Sequence, residues 1–194
     1  MFFIARRYSP TLSFFSPSTD PPSLQTFDLP GLHFALQMVT FERMTKVTIY
    51  TDGSSRGNPG PGGYGVVLLS PPYRKELSAG YRLTTNNRME LLAVIVGLEA
   101  LRYDGCDVTI YSDSQYVVNA VEKRWVFDWE KKNFAKKKNS DLWRRFLQVY
   151  RKHRIRFIWI KGHAEIPENE RCDQLAVAAA QCGKLLEDTG YEPE

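Results

Sequence analysis

A mixed α/β sheet with helices on its faces is the fold class this sequence predicts, and three observations carry it. Three strand-like runs joined by short Gly/Pro breaks open the ordered region, an antiparallel start. Strand and helix patterns then alternate to the end of the chain. Between them lies Arg88–Leu101, apolar on nearly every face, which needs a sheet to cover it. The expected order is βββαβαβα, five strands with additional helical material in the middle.

The first strand is read over 46–52, where Val47–Tyr50 is β-branched and aromatic. Five glycines and two prolines between Gly53 and Gly63 are expected to stop it, leaving Asp52 at its carboxyl end. Strands near 64–70 and 75–83 follow, joined through Pro71-Pro72. Asn86-Asn87 offers an N-cap for the apolar helix. Residues 107–112 form the next strand, and Ser114 suits the cap of a short helix through Tyr116, Val117 and Val118. An amphipathic helix from Ser140 to about His153 leads into a last strand at 155–159. The loop from Lys161 then enters a final helix, with Pro167 in its first turn.

The chain has 194 residues, 43% hydrophobic and 25% charged, which suits one globular domain with a tail. The longest apolar run, Leu91–Leu98, is far short of the roughly 20 residues a bilayer needs. Three scattered cysteines without a CxxC pair indicate neither a disulfide framework nor zinc, and reduced thiols in a cytoplasm are the plain expectation. Residues 1–43 hold seven of the eleven Phe and five of the eleven Pro without a sustained period. They are read as a disordered extension or an over-long gene model, since Met44 stands directly before the first strand. A targeting peptide is the alternative, because Arg6 and Arg7 precede any acid. Residues 44–194 are the domain, and they carry the whole net charge of +4.

Carboxylates are the chemistry-bearing groups. Asp113 ends Thr109-Ile110-Tyr111-Ser112-Asp113 as Asp52 ends Thr48-Ile49-Tyr50-Thr51-Asp52, with the same pleat phase. Two strand-end acids suggest one shared site, although each alone also fits a turn or cap. Glu90, near the start of an apolar helix, must be solvated at a cleft, paired, or bound to a cation; a helix-dipole acid is the plainer alternative. Three converging carboxylates raise one another's pKa unless a divalent cation compensates them. Hard oxygen donors without His or Cys favour Mg²⁺ over zinc. Asp173 is a fourth candidate, or part of an acidic solvated face with Glu165, Glu168 and Glu170. His163, in a loop beside that set, suits proton transfer near neutral pH or a structural role.

From Glu122 to Lys138 seven basic residues stand against three acidic ones, interleaved with Trp125, Phe127, Trp129 and Phe134. Lys123, Lys131, Lys132, Lys136, Lys137 and Lys138 are the lysines of this strip. Such a cationic aromatic segment suits a phosphodiester backbone, with rings available for sugar or base; a solvated charged face is the alternative.

With these residues in hand the chain resembles ribonuclease H of the bacterial type 1 family, over essentially all of residues 44–194. The matching motifs are TDGSSRGNPGPGGYG, TTNNRMELLAVIVGLEAL, YSDSQY, KGHAEIPENERCDQLA and the tail Leu186–Tyr191. The resemblance implies a ribonuclease H-like fold and endonucleolytic hydrolysis of the RNA strand of RNA–DNA hybrids. It further implies a two-metal mechanism with 5′-phosphate and 3′-hydroxyl ends, and Asp52, Glu90, Asp113 and Asp173 as ligands of two Mg²⁺ ions, Mn²⁺ substituting. His163 takes the place of the family's mobile histidine. Ser55, Asn58, Asn86, Asn87 and Gln115 match residues that contact the hybrid's minor groove, where 2′-hydroxyls mark RNA. The strip at 122–138 resembles the family's basic protrusion, with Trp125 and Trp129 near its DNA-contacting aromatics, although the run from Trp129 to Trp143 is several residues shorter here. A monomer without membrane contact is implied. An inert hybrid- or duplex-RNA-binding module and a DNA resolvase or transposase-like nuclease are the competing readings.

Overall fold

The computed structural model describes residues 45–162 and 164–193, within the compact unit Glu42–Glu194. The readings made for residues 1–43 lie outside the described residues, as does that for His163. Five strands, β1 (Lys46–Ser55), β2 (Gly60–Ser70), β3 (Tyr73–Thr84), β4 (Asp107–Ser112) and β5 (Arg154–Trp159), form one sheet in the order β3-β2-β1-β4-β5. The hairpin strands pair antiparallel, while β1–β4 and β4–β5 pair parallel. The helices are α1 (Asn86–Glu99), α2 (Gln115–Glu122), α3 (Trp125–Lys131), α4 (Ser140–Tyr150) and α5 (Pro167–Ala180). The predicted mixed five-stranded sheet is the observed one.

Pleat alternation sorts the sheet between its helices. Val47, Ile49 and Thr51 of β1 are buried on the side of α1, whose Met89, Leu91, Leu92, Ile95 and Leu98 are buried in turn. Gly97 lets the helix settle there, since a Cβ would meet the Ile49 side chain at 2.9 Å. Trp143 and Phe146 of α4 close this core, ring edge to ring face at 5.6 Å. On the opposite face α5 lies against β2, β1 and β3.

The expectation that the Gly/Pro stretch interrupts the strands is corrected here. β1 continues to Ser55 and β2 begins at Gly60, so all of these glycines but Gly57 lie within the sheet. They are there because α5 passes almost touching the backbone: a Cβ on Gly65 would stand 2.0 Å from the Cys172 carbonyl oxygen, and one on Gly63 2.6 Å from that of Ala176. Close approach of a helix is what Gly63 and Gly65 serve, while Gly57, at φ +87°, and Gly60, whose Cβ would stand 1.9 Å from the Arg56 carbonyl oxygen, serve the reversal between β1 and β2.

The start of α1 also differs. Thr85 occupies the cap position, and the side chain that reaches the helix start comes from the β1–β2 loop: the Asn86 N–H donates to Asn58 Oδ1 at 3.1 Å. Glu90 consequently falls in the second turn, beyond the first-turn range of a helix-dipole acid. Ser114 caps α2 as read, its Oγ accepting from the Val117 N–H at 3.2 Å.

Arg88, on the apolar helix, is 2% exposed and joins three distant segments. Its Nη1 and Nη2 donate to the two carboxylate oxygens of Asp141 at 2.9 and 2.7 Å, and its Nε and Nη2 donate to Asp188 at 2.8 Å each. Burial opposes the guanidinium's charge, but these hydrogen bonds outweigh it and hold the pKa above its ordinary value. The tail that supplies Asp188 is fastened to β3 by Leu186, which donates to Gly80 and accepts from Arg82.

Candidate active site

The parallel ladder between β1 and β4 ends at the buried pair Thr51 and Ser112. One residue further, on the face shared by the stacked Tyr50 and Tyr111 rings (centroids 4.8 Å apart), come Asp52 and Asp113. Register alone therefore brings these two residues next to each other where the β1–β4 ladder ends, with β1 itself running on to Ser55.

Glu90 reaches the same end from α1. A Cβ on Gly53 would fall 2.2 Å from the Glu90 backbone nitrogen, so only glycine after Asp52 allows the helix so close. Two side chains aim the Glu90 carboxylate: Asn86 Nδ2 donates to Oε1 at 2.8 Å, and Ser114 Oγ donates to Oε2. Ser114 thus caps α2 and orients Glu90 with one hydroxyl, a role its sequence context as a cap did not reveal. Asp113 has the 161–162 loop against it, a Cβ on Gly162 meeting Oδ2 at 2.8 Å. Asp173 projects from α5, one turn after Asn169.

The acids feel one another. Burial first, then the negative charge of Asp113, pushes the Asp52 carboxyl up to about 8; Asp173 and Glu90 add to the rise, and the Gly53 N–H, donating to Oδ1 at 2.7 Å, opposes it. Burial also raises Glu90, with Asp113 contributing, against the hydrogen bonds from Ser114 and Asn86. Among the described residues no three acid, histidine or cysteine side chains are already gathered at ligating distance. The donor set, carboxylate oxygens without thiol, fits a hard divalent ion.

Of the residues expected to touch substrate, Asn58 and Asn86 meet through a hydrogen bond, and Asn87 and Gln115 are exposed beside them at the starts of α1 and α2. Ser55 ends β1, its hydroxyl turned to the Gly57 carbonyl. The basic strip forms α3 and the turns after it, with Lys123, Lys131, Lys132, Lys136, Lys137 and Lys138 all exposed. Its aromatics are not all available as rings for a ligand. Phe134 is 4% exposed, Phe127 packs on Tyr150 at 5.6 Å, and Trp129 is half-buried against Trp143. Trp125 is outward, with Lys123 Nζ 5.0 Å from its ring centroid; Lys137 Nζ lies 5.1 Å from that of Trp129. An alternation of charge and ring cannot reveal which rings serve as the hydrophobic root of a protrusion. Trp159, unremarked in the sequence, donates from Nε1 to the Asp113 carbonyl oxygen at 3.1 Å and is exposed.

The fold is a five-stranded α+β sheet, and the charges of Asp113, Asp173 and Glu90 all bear on Asp52. Comparison with known proteins gives the family. The RNase H family model matches residues 44–181. Ribonuclease H of Desulforamulus reducens is 59% identical over 143 residues, 71% of this chain and 89% of that protein. Ribonuclease H of Cronobacter sakazakii is 54% identical over 154 residues, 77% and 96% of the two chains. Among solved structures, LC9-RNase H1, a type 1 RNase H with the type 2 active-site motif, superposes with a TM-score of 0.65 at 31% identity, covering 76% of this chain and 79% of that one. LC11-RNase H1 in complex with an RNA/DNA hybrid gives 0.53 at 28% identity, covering 70% and 96%. The chain belongs to the RNase H family, whose members degrade RNA in RNA–DNA hybrids.

Proposed function

We propose that this protein is an endoribonuclease that hydrolyses the RNA strand of RNA–DNA hybrids, leaving 5′-phosphate and 3′-hydroxyl ends, with Asp52, Glu90, Asp113 and Asp173 holding two Mg²⁺ ions. The observation that carries the reading is geometric: the β1–β4 register sets Asp52 and Asp113 next to each other, and Gly53 admits the α1 backbone at Glu90; burial and the charges of Asp113, Asp173 and Glu90 push the Asp52 carboxyl up to about 8, which favours a compensating cation. Divalent cations held there would supply Lewis acidity for displacement at phosphorus, and Mn²⁺ would meet the same oxygen donors. The chain's own part is positioning. Gly53 admits Glu90, Ser114 and Asn86 aim it, and the 161–162 loop backs Asp113. His163 is proposed as the proton carrier beside this set.

Asn58, Asn86, Asn87, Gln115 and Ser55 line the approach to the acids and offer amide and hydroxyl groups to minor-groove 2′-hydroxyls. The lysines of 122–138 and the outward Trp125 take the other strand's backbone, with Trp129 as a rim contact. The domain 44–194 is proposed to act as a cytoplasmic monomer; among the described residues no helix is long and apolar enough to cross a membrane.

The test is a substrate panel: labelled hybrid, RNA duplex, DNA duplex and single-stranded RNA, each with Mg²⁺. Cutting of the hybrid's RNA strand alone is expected. Binding of the hybrid without cutting would make the chain an inert recognition module, and cutting of duplex DNA would make it a resolvase-like nuclease.

A further inference from the structure

The basic run Arg151-Lys152-His153-Arg154-Ile155-Arg156 has no part in the acid site. Its first two members are paired, Arg151 with Glu130 at 2.6 Å and Lys152 with Asp104 at 3.9 Å. Arg154 and Arg156 are exposed, and neither forms an ion pair among the described residues. Pleat phase decides where they stand: Phe157 is buried in the core, so Arg154, Arg156 and Ile158 lie on the opposite face of β5. That face is bare, because α5 packs on β2, β1 and β3 and leaves β4 and β5 uncovered. The parallel registers order it in rows. Asp52 and Asp113 head it; below them come Tyr50, Tyr111 and Ile158, then Thr109 and Arg156, then Asp107 and Arg154. Tyr50 and Tyr111 stack at 4.8 Å with 12° between their planes. This is the spacing of neighbouring strands, so the rings stand upright on the sheet and turn their hydroxyl edges outward. Arg156 Nη2 donates to Thr109 Oγ1 at 3.2 Å, which holds its guanidinium over β4.

We propose that this bare face is a track for single-stranded nucleic acid, taking the unpaired end of the cleaved strand where a hybrid runs out close to the acids. This rests on the ribonuclease reading above. Charge complementarity and spacing favour such an occupant. Arg154 and Arg156 are two residues apart on one face of a strand, about 6.6 Å, which matches two stacked nucleotide steps of about 3.4 Å each. Each guanidinium thereby meets a phosphate, and the tyrosine and threonine hydroxyls, donors and acceptors alike, suit the sugars between. Continuity favours a nucleic acid over an acidic protein segment: the track opens on Asp52 and Asp113, so a strand held at those acids needs no second approach to enter it. From Asp113 to the Asp107–Arg154 row is six residues, about 20 Å, which about six stacked nucleotides span. A shorter unpaired end stops at the tyrosines, before the first guanidinium.

The experiment uses the full chain and hybrids with one mapped cut near an end, their RNA strand blunt or extended by two or eight unpaired nucleotides on its 5′ or 3′ side. In wild type the eight-nucleotide extension on one side is expected to lower KM about 3- to 10-fold, the effect of two exposed ion pairs, and the two-nucleotide extension to change nothing. That gain is expected to fall with log salt at a slope of about 1.4, two phosphates at about 0.7 each. The double variant Arg154→Gln/Arg156→Gln is expected to cut the blunt hybrid with wild-type kcat and KM and to lose the gain. Extensions that leave the wild-type KM unchanged, or a gain that survives in the double variant, would overturn the track while leaving the ribonuclease reading intact. An RNA eight-mer and an oligoglutamate of equal length, each labelled and read by anisotropy in chelator, separate the occupants. Binding of the RNA weakened in the double variant supports the track, and tighter binding of the oligoglutamate, lost in that variant, would overturn it in favour of an acidic protein segment. A wild-type chain that leaves every hybrid whole would overturn the ribonuclease reading and, with it, the cleaved strand as the occupant.

Discussion

Truncating Arg88 is expected to cost more stability than neutralising either of its partners, and far more than neutralising Asp141. Its guanidinium is 2% exposed and Asp188 is 8% exposed, whereas Asp141 is 39% exposed. Arg88→Ala removes four good hydrogen bonds and leaves the Asp188 carboxylate buried with the Thr84 hydroxyl, 2.7 Å away, as its remaining side-chain donor. Stranding a buried charge in this way costs about 3–5 kcal/mol. Asp141→Asn touches a solvated partner and is expected to cost about 1 kcal/mol or less. Asp188→Asn falls between them, at about 2–3 kcal/mol, since Arg88 keeps Asp141. Urea unfolding followed by far-ultraviolet circular dichroism measures all three. Replacing Arg88 and Asp188 together by apolar residues is expected to recover about 2 kcal/mol relative to the sum of the single losses. An Arg88→Ala variant within about 1 kcal/mol of wild type would refute the account, because a guanidinium dispensable at that depth is not what binds α1, α4 and the tail together.

Asp52→Asn is expected to abolish cleavage while hybrid binding persists, read by gel assay and fluorescence anisotropy; full activity in a clean preparation would remove Asp52 from the metal set. In chelator the same variant is expected to be more stable than wild type at pH 8 and equal to it near pH 4. The Asp52 pKa of about 8 lies above its unfolded value, so its contribution is present at low pH and lost as pH rises through 8; a wild-type stability flat between pH 4 and 8 would contradict this. Lys136, Lys137 and Lys138 all changed to Ala should weaken hybrid binding and flatten log K against log salt by about 2–3, and an unchanged slope would take them out of the interface. Gly53→Ala is expected to lower kcat by at least about tenfold, by driving a methyl into the Glu90 backbone, and normal turnover would show that α1 yields there.

Much of this was legible in the sequence because the signals are local. Thr-Ile-Tyr-Thr-Asp and Thr-Ile-Tyr-Ser-Asp announce matched strands with matched acids, and the parallel register sets those acids side by side. The all-round apolar α1 announced its own burial. What escaped depends on partners far along the chain. Nothing near Arg88 reveals Asp188, a hundred residues on, and an arginine at a helix start reads as solvated. Gly53, Gly63 and Gly65 read as chain breakers because their use, seating α1 and α5 against bare backbone, involves residues from Met89 to Ala176. Phe127 and Phe134 read as accessible rings because their alternation with lysines is the same whether they face a ligand or Tyr150 and the core. Glu90 was singled out by its acidity in an apolar run, while its aiming groups were read otherwise, Ser114 as a cap and Asn86 as a cap or a substrate contact.

The most direct test of the central claim is anomalous scattering from a crystal of the Asp113→Asn variant, inactive but able to bind, with Mn²⁺ and an RNA–DNA hybrid. Manganese peaks among Asp52, Glu90 and Asp173 and against one RNA phosphate are the predicted result. A hybrid seated with no manganese among these carboxylates would contradict it.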